Sequence, residues 1–354
     1  MKWNRIVIDA MGGDHAPEEI VKGAAEACRK SDTIHCIFVG DELGVRSLLK
    51  KEKLRESRWE IVHAPEVIAM EDPPKDAVQG KPNASINVAA RLLRDGYGEA
   101  LVSAGSTGAT LLACSNAIPR IGSIERAVLA AVLPAVRHKP ADPGKTVMLD
   151  VGATLHGTVN QLVSFAIMGL HYARGVLGIE NPRVGLLNIG EEETKGHSVL
   201  VDTHRALRRT PQVNFIGNVE GKDVLRGVAD VIVTEGYTGN TVLKSLEGMA
   251  ELTLQTGKQI WKRGILSKVG LVMLAPKLKK LKKRLDYSEY GGAPILGFQK
   301  LVIKAHGRSK AKAIMNAVLL AEKSIANNLV RHMEEAMREF YLGLFEHKPG
   351  ESAS

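Results

Sequence analysis

The sequence contains few aromatic residues and few cysteines, and both shortages narrow its functional class. Phe, Trp and Tyr make up 4% of the 354 residues, too few for the stacking platforms that bind single-stranded nucleic acid. The chain has three cysteines, an odd total, and none of them forms a C-x-x-C motif. Each of the three, Cys28, Cys36 and Cys114, lies among apolar residues. We therefore expect buried, unreactive thiols in a reducing compartment.

Long apolar runs and targeting signals are also lacking. No stretch reaches the roughly 18 apolar residues that a membrane span needs. The first five residues lead into a predicted strand without the apolar region or cleavage site of a signal peptide. We therefore expect a cytoplasmic protein.

Several motifs of metal, nicotinamide and covalent catalysis are missing. The eleven histidines do not cluster, and neither H-x-x-x-H nor D-x-D-x-D-G occurs, so we predict no metal. No G-x-G-x-x-G follows a strand, and no G-x-S-x-G marks a nucleophilic serine. The sequence therefore predicts an enzyme without a cofactor and without a covalent intermediate.

The most informative feature present is a repeated strand, glycine turn and helix. Residues 6–8 are β-branched or aliphatic, and Asp9, Gly12, Gly13, Asp14 and Pro17 follow them. The same pattern recurs at 103–109, 188–191 and 234–240. We expect these turns to converge on one carboxyl edge of a parallel sheet, where backbone N–H groups and helix N-termini favour an anion. The pattern predicts an enzyme that handles phosphate.

Alternating apolar segments predict an α/β fold with a single large domain over residues 1–346 and a disordered tail at 347–354. Residues 70–83 contain three prolines and predict a long loop or short irregular segment. Residues 245–285 predict a protruding helical hairpin. Further strands are expected at 34–39, 59–63, 100–102, 146–151, 183–189, 213–216 and 230–233, with helices between them that include 85–94 and 159–173.

The motifs together resemble those of the acyl carrier protein-dependent phosphate acyltransferases of bacterial phospholipid synthesis. They follow in order over nearly the whole chain: 9–14 (DAMGGD), 149–153 (LDVGA), 188–196 (NIGEEETKG), 217–221 (GNVEG), 236–240 (GYTGN), 289–294 (EYGGAP) and 305–309 (AHGRS). The resemblance implies transfer of a fatty acyl group from acyl carrier protein to inorganic phosphate. It also implies a homodimer with a three-layer, parallel-rich fold like that of isocitrate and isopropylmalate dehydrogenases and phosphotransacetylases. The chain departs from the family at Ser106, usually Asn, and at Glu235, usually Asp.

Lys195 and Asn240 are the candidate catalytic residues. Phosphate is itself a competent nucleophile, so the enzyme must position two anionic substrates and stabilise the developing oxyanion. Lys195 follows three glutamates in a turn and either binds phosphate or is a solvated surface lysine; the family's lysine-glycine pair aligns with it and favours function. Asn240 is interpreted as a helix N-cap that also donates its amide to phosphate or oxyanion.

The glycine turns supply the remaining candidates for substrate and phosphate binding. We interpret Asp14 as a helix cap and expect both acids of the first turn to orient donors rather than touch phosphate. His15 and His306 are each either a general acid or a capping or surface histidine. The full set is Asp9, Gly12, Gly13, Asp14, His15, Gly105, Ser106, Thr107, Gly108, Gly236, Thr238, Gly239 and His306.

The net charge of +9 comes mainly from residues 277–284, which carry six basic residues and no acidic one. This segment predicts an amphipathic basic helix preceded by an apolar tip. We interpret it as a dimerisation helix, a peripheral membrane contact at the inner face of the membrane, or a surface that steers acidic acyl carrier protein. The residues are Leu271, Val272, Leu274, Lys277, Lys279, Lys280, Lys282, Lys283 and Arg284.

The expected partners are thus acyl carrier protein, inorganic phosphate and a second copy of the chain, with no nucleic acid. One alternative is an NAD-dependent β-decarboxylating dehydrogenase of related fold, which would produce the near-ultraviolet absorbance of reduced nicotinamide. The other is a non-enzymatic basic scaffold for membrane or nucleic acid, which would keep its function after a Lys195→Ala change.

Overall fold

Eleven strands form one sheet in a computed structural model that describes residues 3–139, 142–262 and 291–346. The strands are β1 (Asn4–Asp9), β2 (Ile34–Gly40), β3 (Trp59–His63), β4 (Ala100–Ser103), β5 (Val128–Pro134), β6 (Lys145–Leu149), β7 (Arg183–Asn188), β8 (Asn214–Glu220), β9 (Val231–Val233), β10 (Ala293–Leu296) and β11 (Leu301–Lys304). The helices are α1 (Glu18–Lys30), α2 (Glu42–Lys51), α3 (Pro74–Gly80), α4 (Ser85–Arg94), α5 (Thr107–Ala117), α6 (Val159–Tyr172), α7 (Ser198–Arg208), α8 (Gly236–Lys262), α9 (Ala311–Ala326) and α10 (Leu329–Glu346).

The sheet consists of two parallel groups that run in opposite directions. Its strand order is β3-β2-β1-β4-β11-β10-β5-β6-β9-β7-β8. The first five strands are mutually parallel, and so are the last four. Between them, β10 is antiparallel to β11 and to β5, and β5 is antiparallel to β6. The expectation that all the turns share one carboxyl edge is therefore wrong, because the central antiparallel strands reverse the chain direction.

Helices cover both faces of the sheet, which explains why the strands are apolar throughout rather than alternating. Ile6 and Ile8 point to one face, where they join a core with α1, α2, α6, α7, α9 and α10. Val7 points to the other face, toward α3, α4, α5 and the first part of α8. A sheet buried on both sides leaves the loops at its strand ends as the place for polar chemistry.

The first helix forms where the sequence predicts it, but its N-terminus differs from the expectation. Ile20, Ala24 and Cys28 are buried in α1 at the predicted helical spacing. The residue before the helix is Pro17, and no side chain caps the helix. The interpretation of Asp14 as a cap is therefore wrong.

Residues 70–83 are not irregular throughout, because α3 (Pro74–Gly80) lies within them. Proline suits a first helical turn, where a backbone N–H has no partner to lose.

Residues 263–290 and 347–354 lie outside the described part of the chain. The apolar tip, the basic segment, the second half of the expected hairpin and the tail all fall within these residues. Among the described helices, none combines the length and the apolar character required to cross a bilayer.

Candidate active site

The predicted turns form two clusters, one at the carboxyl ends of each parallel group of strands. The first cluster contains the turns after β1, β4 and β11, at residues 9–15, 103–108 and 304–308. The second contains the turns after β6, β7 and β9, at residues 150–158, 188–197 and 234–240. The candidate residues are thus divided between two places.

Asp9 is a buried acid of the first cluster, and its carboxylate accepts hydrogen bonds from neighbouring segments. Its carboxylate is buried and accepts hydrogen bonds from Ser85 Oγ at 2.6 Å and Ser103 Oγ at 2.7 Å. Burial raises the pKa of Asp9, and the two hydroxyl donors oppose that rise. A Cβ on Gly12 would lie 2.4 Å from Asp9 Oδ2 and 2.8 Å from Gly105 N, so the close approach of the two turns requires glycine. This placement agrees with a carboxylate that orients the turns.

The other candidates of the first cluster differ in exposure. Gly13 has a φ of +109° and packs against Ala104. Asp14 and His15 are exposed, and the backbone N–H of Asp14 donates to the carbonyl of Gly307 at 3.0 Å. The helix α5 starts at Thr107 with Ser106 before it, as the sequence predicts, and Gly108 lies against the ring of Pro74.

Lys304 is a residue of this cluster that the sequence analysis missed. It ends β11, is 5% exposed, and donates a hydrogen bond from Nζ to the carbonyl of Ala305. Burial lowers the pKa of Lys304 to about 8, although Asp9 and Asp14 favour its charged form. Burial likewise lowers the pKa of His306, and the negative charge of Glu247 opposes this decrease. The sequence signal that could have identified Lys304 is a lysine at the end of an apolar segment, directly before a polar turn that contains glycine.

Asp150 occupies in the second cluster the position that Asp9 has in the first. It follows β6, is fully buried, and accepts hydrogen bonds from the backbone N–H groups of Gly152, Ala153 and Thr154 at 3.0, 2.9 and 2.7 Å. Burial raises the pKa of Asp150 against these bonds. The carboxylate therefore holds its own loop in place beside the start of α8.

The first turn of α8 is packed so closely against this loop that only glycine fits. A Cβ would lie 2.2 Å from the carbonyl oxygen of Thr154 at Gly236, and 1.8 Å from that of Asp150 at Gly239. Thr238 points outward and is exposed. These glycines set the position of the helix terminus, which carries the positive end of the helix dipole.

Asn240 lies in α8 itself, so the N-cap interpretation is wrong: the helix begins four residues earlier, at Gly236. Asn240 is exposed, and its side-chain amide lies 3.6 Å from where a Cβ of Gly152 would be. No side-chain hydrogen bond to the described residues engages this amide. The amide is therefore available to a ligand at the mouth of the second cluster.

Lys195 enters the same cluster from the turn after β7. Asn188 shapes this turn by donating from Nδ2 to the carbonyl of Lys195 at 2.9 Å and accepting from the N–H of Ile189 at 2.8 Å. The Lys195 stem lies over Gly190, and Nζ is 3.9 Å from Glu192 Oε1. The lysine side chain is 46% exposed, so its ammonium remains accessible to an anion.

The helix α8 joins the two clusters. It begins in the second cluster, and farther along it Glu251 lies 3.4 Å from Arg308, which belongs to the turn after β11. Lys244 and Glu247 of the same helix act electrostatically on His306. The helix α8 therefore runs from the second cluster to the first.

Comparison with known proteins shows the family of the chain. The family model described as fatty acid synthesis protein matches residues 4–332. A phosphate acyltransferase of Thermoanaerobacter pseudethanolicus is 44% identical over 331 residues, which is 94% of this chain and 96% of that protein. The chain belongs to the phosphate acyltransferase family. A second family member, from Heliobacterium modesticaldum, is 46% identical over 332 residues, or 94% of this chain and 97% of that protein.

The fold of this family member is similar to that of solved phosphotransacetylases. The structure of a phosphotransacetylase from Streptococcus pyogenes aligns with a TM-score of 0.61 at 18% identity, covering 92% of this chain and 94% of that one. At this identity the similarity concerns the fold alone. The family assignment rests on the sequence relatives, and it identifies the chain as an acyltransferase.

Proposed function

We propose that the protein transfers a fatty acyl group from acyl carrier protein to inorganic phosphate, and that the reaction takes place in the second cluster. The observations that support this placement are the accessible ammonium of Lys195, on the turn after β7, and the exposed amide of Asn240, in the first turns of α8, which no side chain of the described residues engages. In this family member, phosphate would bind between these donors. No comparable pair of a half-exposed lysine and a free amide occurs among the described residues of the first cluster.

The chemistry requires positioning rather than a protein nucleophile. A phosphate oxygen attacks the thioester carbonyl, and the thiolate of the carrier leaves with the electron pair of the broken C–S bond. Lys195 neutralises phosphate as it approaches the carbonyl, and Asn240 donates to the developing oxyanion. Cys114 is unsuited to a covalent route, because burial raises its pKa to about 12.

The partner assignments rest on the sequence. Acyl carrier protein is acidic, and residues 277–284 provide a concentrated basic segment for it. The same segment, with Leu271 and Leu274, supports a homodimer and a peripheral membrane contact. The replacement of both leucines by glutamate should abolish binding to anionic liposomes while activity in solution remains; unchanged binding would exclude the membrane contact.

We also propose that residues 1–346 form one catalytic domain with the fold of isocitrate and isopropylmalate dehydrogenases. The sheet with two opposed parallel groups supports this assignment.

The function is tested by incubation of the purified protein with palmitoyl-acyl carrier protein and radiolabelled phosphate. We expect labelled acyl phosphate and an equal amount of free carrier thiol. Free thiol without labelled acyl phosphate would indicate a thioesterase and would exclude phosphate as the acceptor.

A further inference from the structure

His197 and Glu235 form a hydrogen-bonded pair that links the loops of the second cluster. His197 Nε2 lies 3.0 Å from Glu235 Oε2, and Glu235 Oε1 accepts from the N–H of Gly157 at 3.0 Å. The side chain of Glu235 is 10% exposed and that of His197 is 51% exposed. The carboxylate is therefore buried and fixed, while the imidazole extends from it toward solvent.

The pair has the arrangement of a positioned acid–base group. A carboxylate that binds Nε2–H keeps a proton on that nitrogen and leaves Nδ1 free to exchange protons. His197 precedes α7 and lies two residues after Lys195, and Glu235 precedes α8. The imidazole thus belongs to the same two loops that carry the candidate catalytic residues.

The proposed reaction needs a group of this kind. An alkyl thiol ionises near a pH of about 8.5, so the departing thiolate takes up a proton at neutral pH. In the reverse direction, the thiol must lose that proton before it attacks an acyl phosphate, and the same group serves both directions. Imidazole changes its charge between a pH of about 5 and 8 and can do both.

We propose that His197, held by Glu235, donates the proton from Nδ1 to the departing thiolate. This inference rests on the proposed function. The phosphate oxygen forms the bond to the acyl carbon, the C–S bond breaks, sulfur keeps the electron pair and takes the proton, and neutral His197 is reprotonated from solvent.

Three charged groups belong to the loops around His197. Glu235 contacts Nε2, and Glu192 and Lys195, which lie 3.9 Å apart, precede His197 on the turn after β7. His156 is a second imidazole near the same carboxylate, with Nδ1 at 4.0 Å from Glu235 Oε1, and it is 88% exposed.

The variant His197→Gln separates proton transfer from structure, because the glutamine amide still donates to Glu235 but does not ionise near neutral pH and cannot act as a general acid. His156→Gln is the matched control. The wild-type protein must first form acyl phosphate from an acyl thioester, so that failure of the proposed function is recognised separately. Rates are then measured against pH with two donors, an alkyl thioester and a thioester of a more acidic aryl thiol.

We expect His197→Gln to lower kcat for the alkyl thioester by roughly 10²-fold, with a smaller loss for the aryl thioester, whose thiolate needs no proton. The decline of the wild-type rate at high pH should disappear in this variant. In Glu235→Gln, the imidazole loses the carboxylate that orients it, so kcat should fall more for the alkyl thioester than for the aryl thioester. Equal losses for both donors, an unchanged pH profile, or the same loss in His156→Gln would each overturn the proposal.

Discussion

Lys195 is the single side chain on which the proposed reaction depends most. Replacement by methionine keeps the aliphatic stem that lies over Gly190 but removes the charge. We expect Lys195→Met to fold normally, because the residue is half-exposed, and to lose roughly 10²- to 10³-fold in kcat/KM. The formation of labelled acyl phosphate measures this loss. Lys50→Met, at an exposed position of α2, is the control and should have full activity; equal activity of both variants would remove Lys195 from the mechanism.

Because of Lys304, the free energy of unfolding should vary with pH in the alkaline range. In the folded protein, burial lowers its pKa to about 8 from 10.5. Between these values the unfolded chain binds more protons, so the free energy of unfolding rises with pH, by about 3 kcal/mol at most. We expect urea unfolding of Lys304→Met to lack this rise between about pH 8 and 10. An identical pH dependence in both proteins would show that Lys304 is charged in the fold throughout.

Single residues also show where the sequence is informative. Lys195, Asn240 and the glycines are candidates that the sequence alone provides, because turn composition and family motifs are local signals. Lys304 and His197 were not, since their significance depends on Asp9 and Glu235, which lie far away in the sequence and become neighbours only when the strands and loops assemble.

The start of α8 is an element whose position is set by close backbone contact. A methyl group at Gly239 would lie 1.8 Å from the carbonyl oxygen of Asp150, so Gly239→Ala should displace the helix terminus. We expect a loss of at least about 2 kcal/mol in the free energy of unfolding, together with loss of activity. Gly248→Ala on the same helix has no heavy atom of the described residues within 4 Å of the new methyl group and should be neutral or stabilising by roughly 0.5–1 kcal/mol. Similar effects of the two changes would contradict this packing.

The packing of α6 against α10 makes the protein sensitive to acid. Burial lowers the pKa of His171 on α6 to about 4, and Arg174, which follows α6, and His332 on α10 add to the effect. Between a pH of about 6.5 and 4, the unfolded chain therefore takes up a proton that the folded chain does not, and stability falls as pH falls.

We expect the free energy of unfolding to fall by about 1–2 kcal/mol over this pH range, because solvent screening reduces the effect at a partly exposed site. Urea unfolding of His171→Gln at pH 7 and pH 5 should show a smaller acid loss than wild type. The exposed His63→Gln serves as the control. An acid loss in His171→Gln as large as that of the wild-type protein would show that His171 is protonated in the fold at pH 5.

Elements were predicted where periodicity is strong. The strands β1, β2 and β3 and the helices α1 and α4 follow from apolar spacing. The strands β5, β10 and β11 were missed; β10 and β11 have only four residues each, which carry too little periodicity to distinguish a strand. The helix α3 was missed because its two leading prolines favour a loop in sequence but also suit a helix start.

At the scale of the whole molecule, the direction of the strands in the sheet decides where the candidate catalytic loops lie. The α/β class follows from the sequence, but the strand order does not, because pairing between distant segments leaves no local pattern. The reversal at β10 and β5 divides the predicted single edge into two clusters, and α8 is the element that connects them.

The most direct test of the account is the position of the bound acceptor. Crystals soaked in arsenate, a phosphate analogue with an anomalous X-ray signal, locate that position without ambiguity. We predict an arsenic peak within hydrogen-bond reach of both Lys195 Nζ and the Asn240 amide. A peak confined to the first cluster, between the Gly12–Gly13 turn and the start of α5, with Lys195 directed into solvent, would contradict the account.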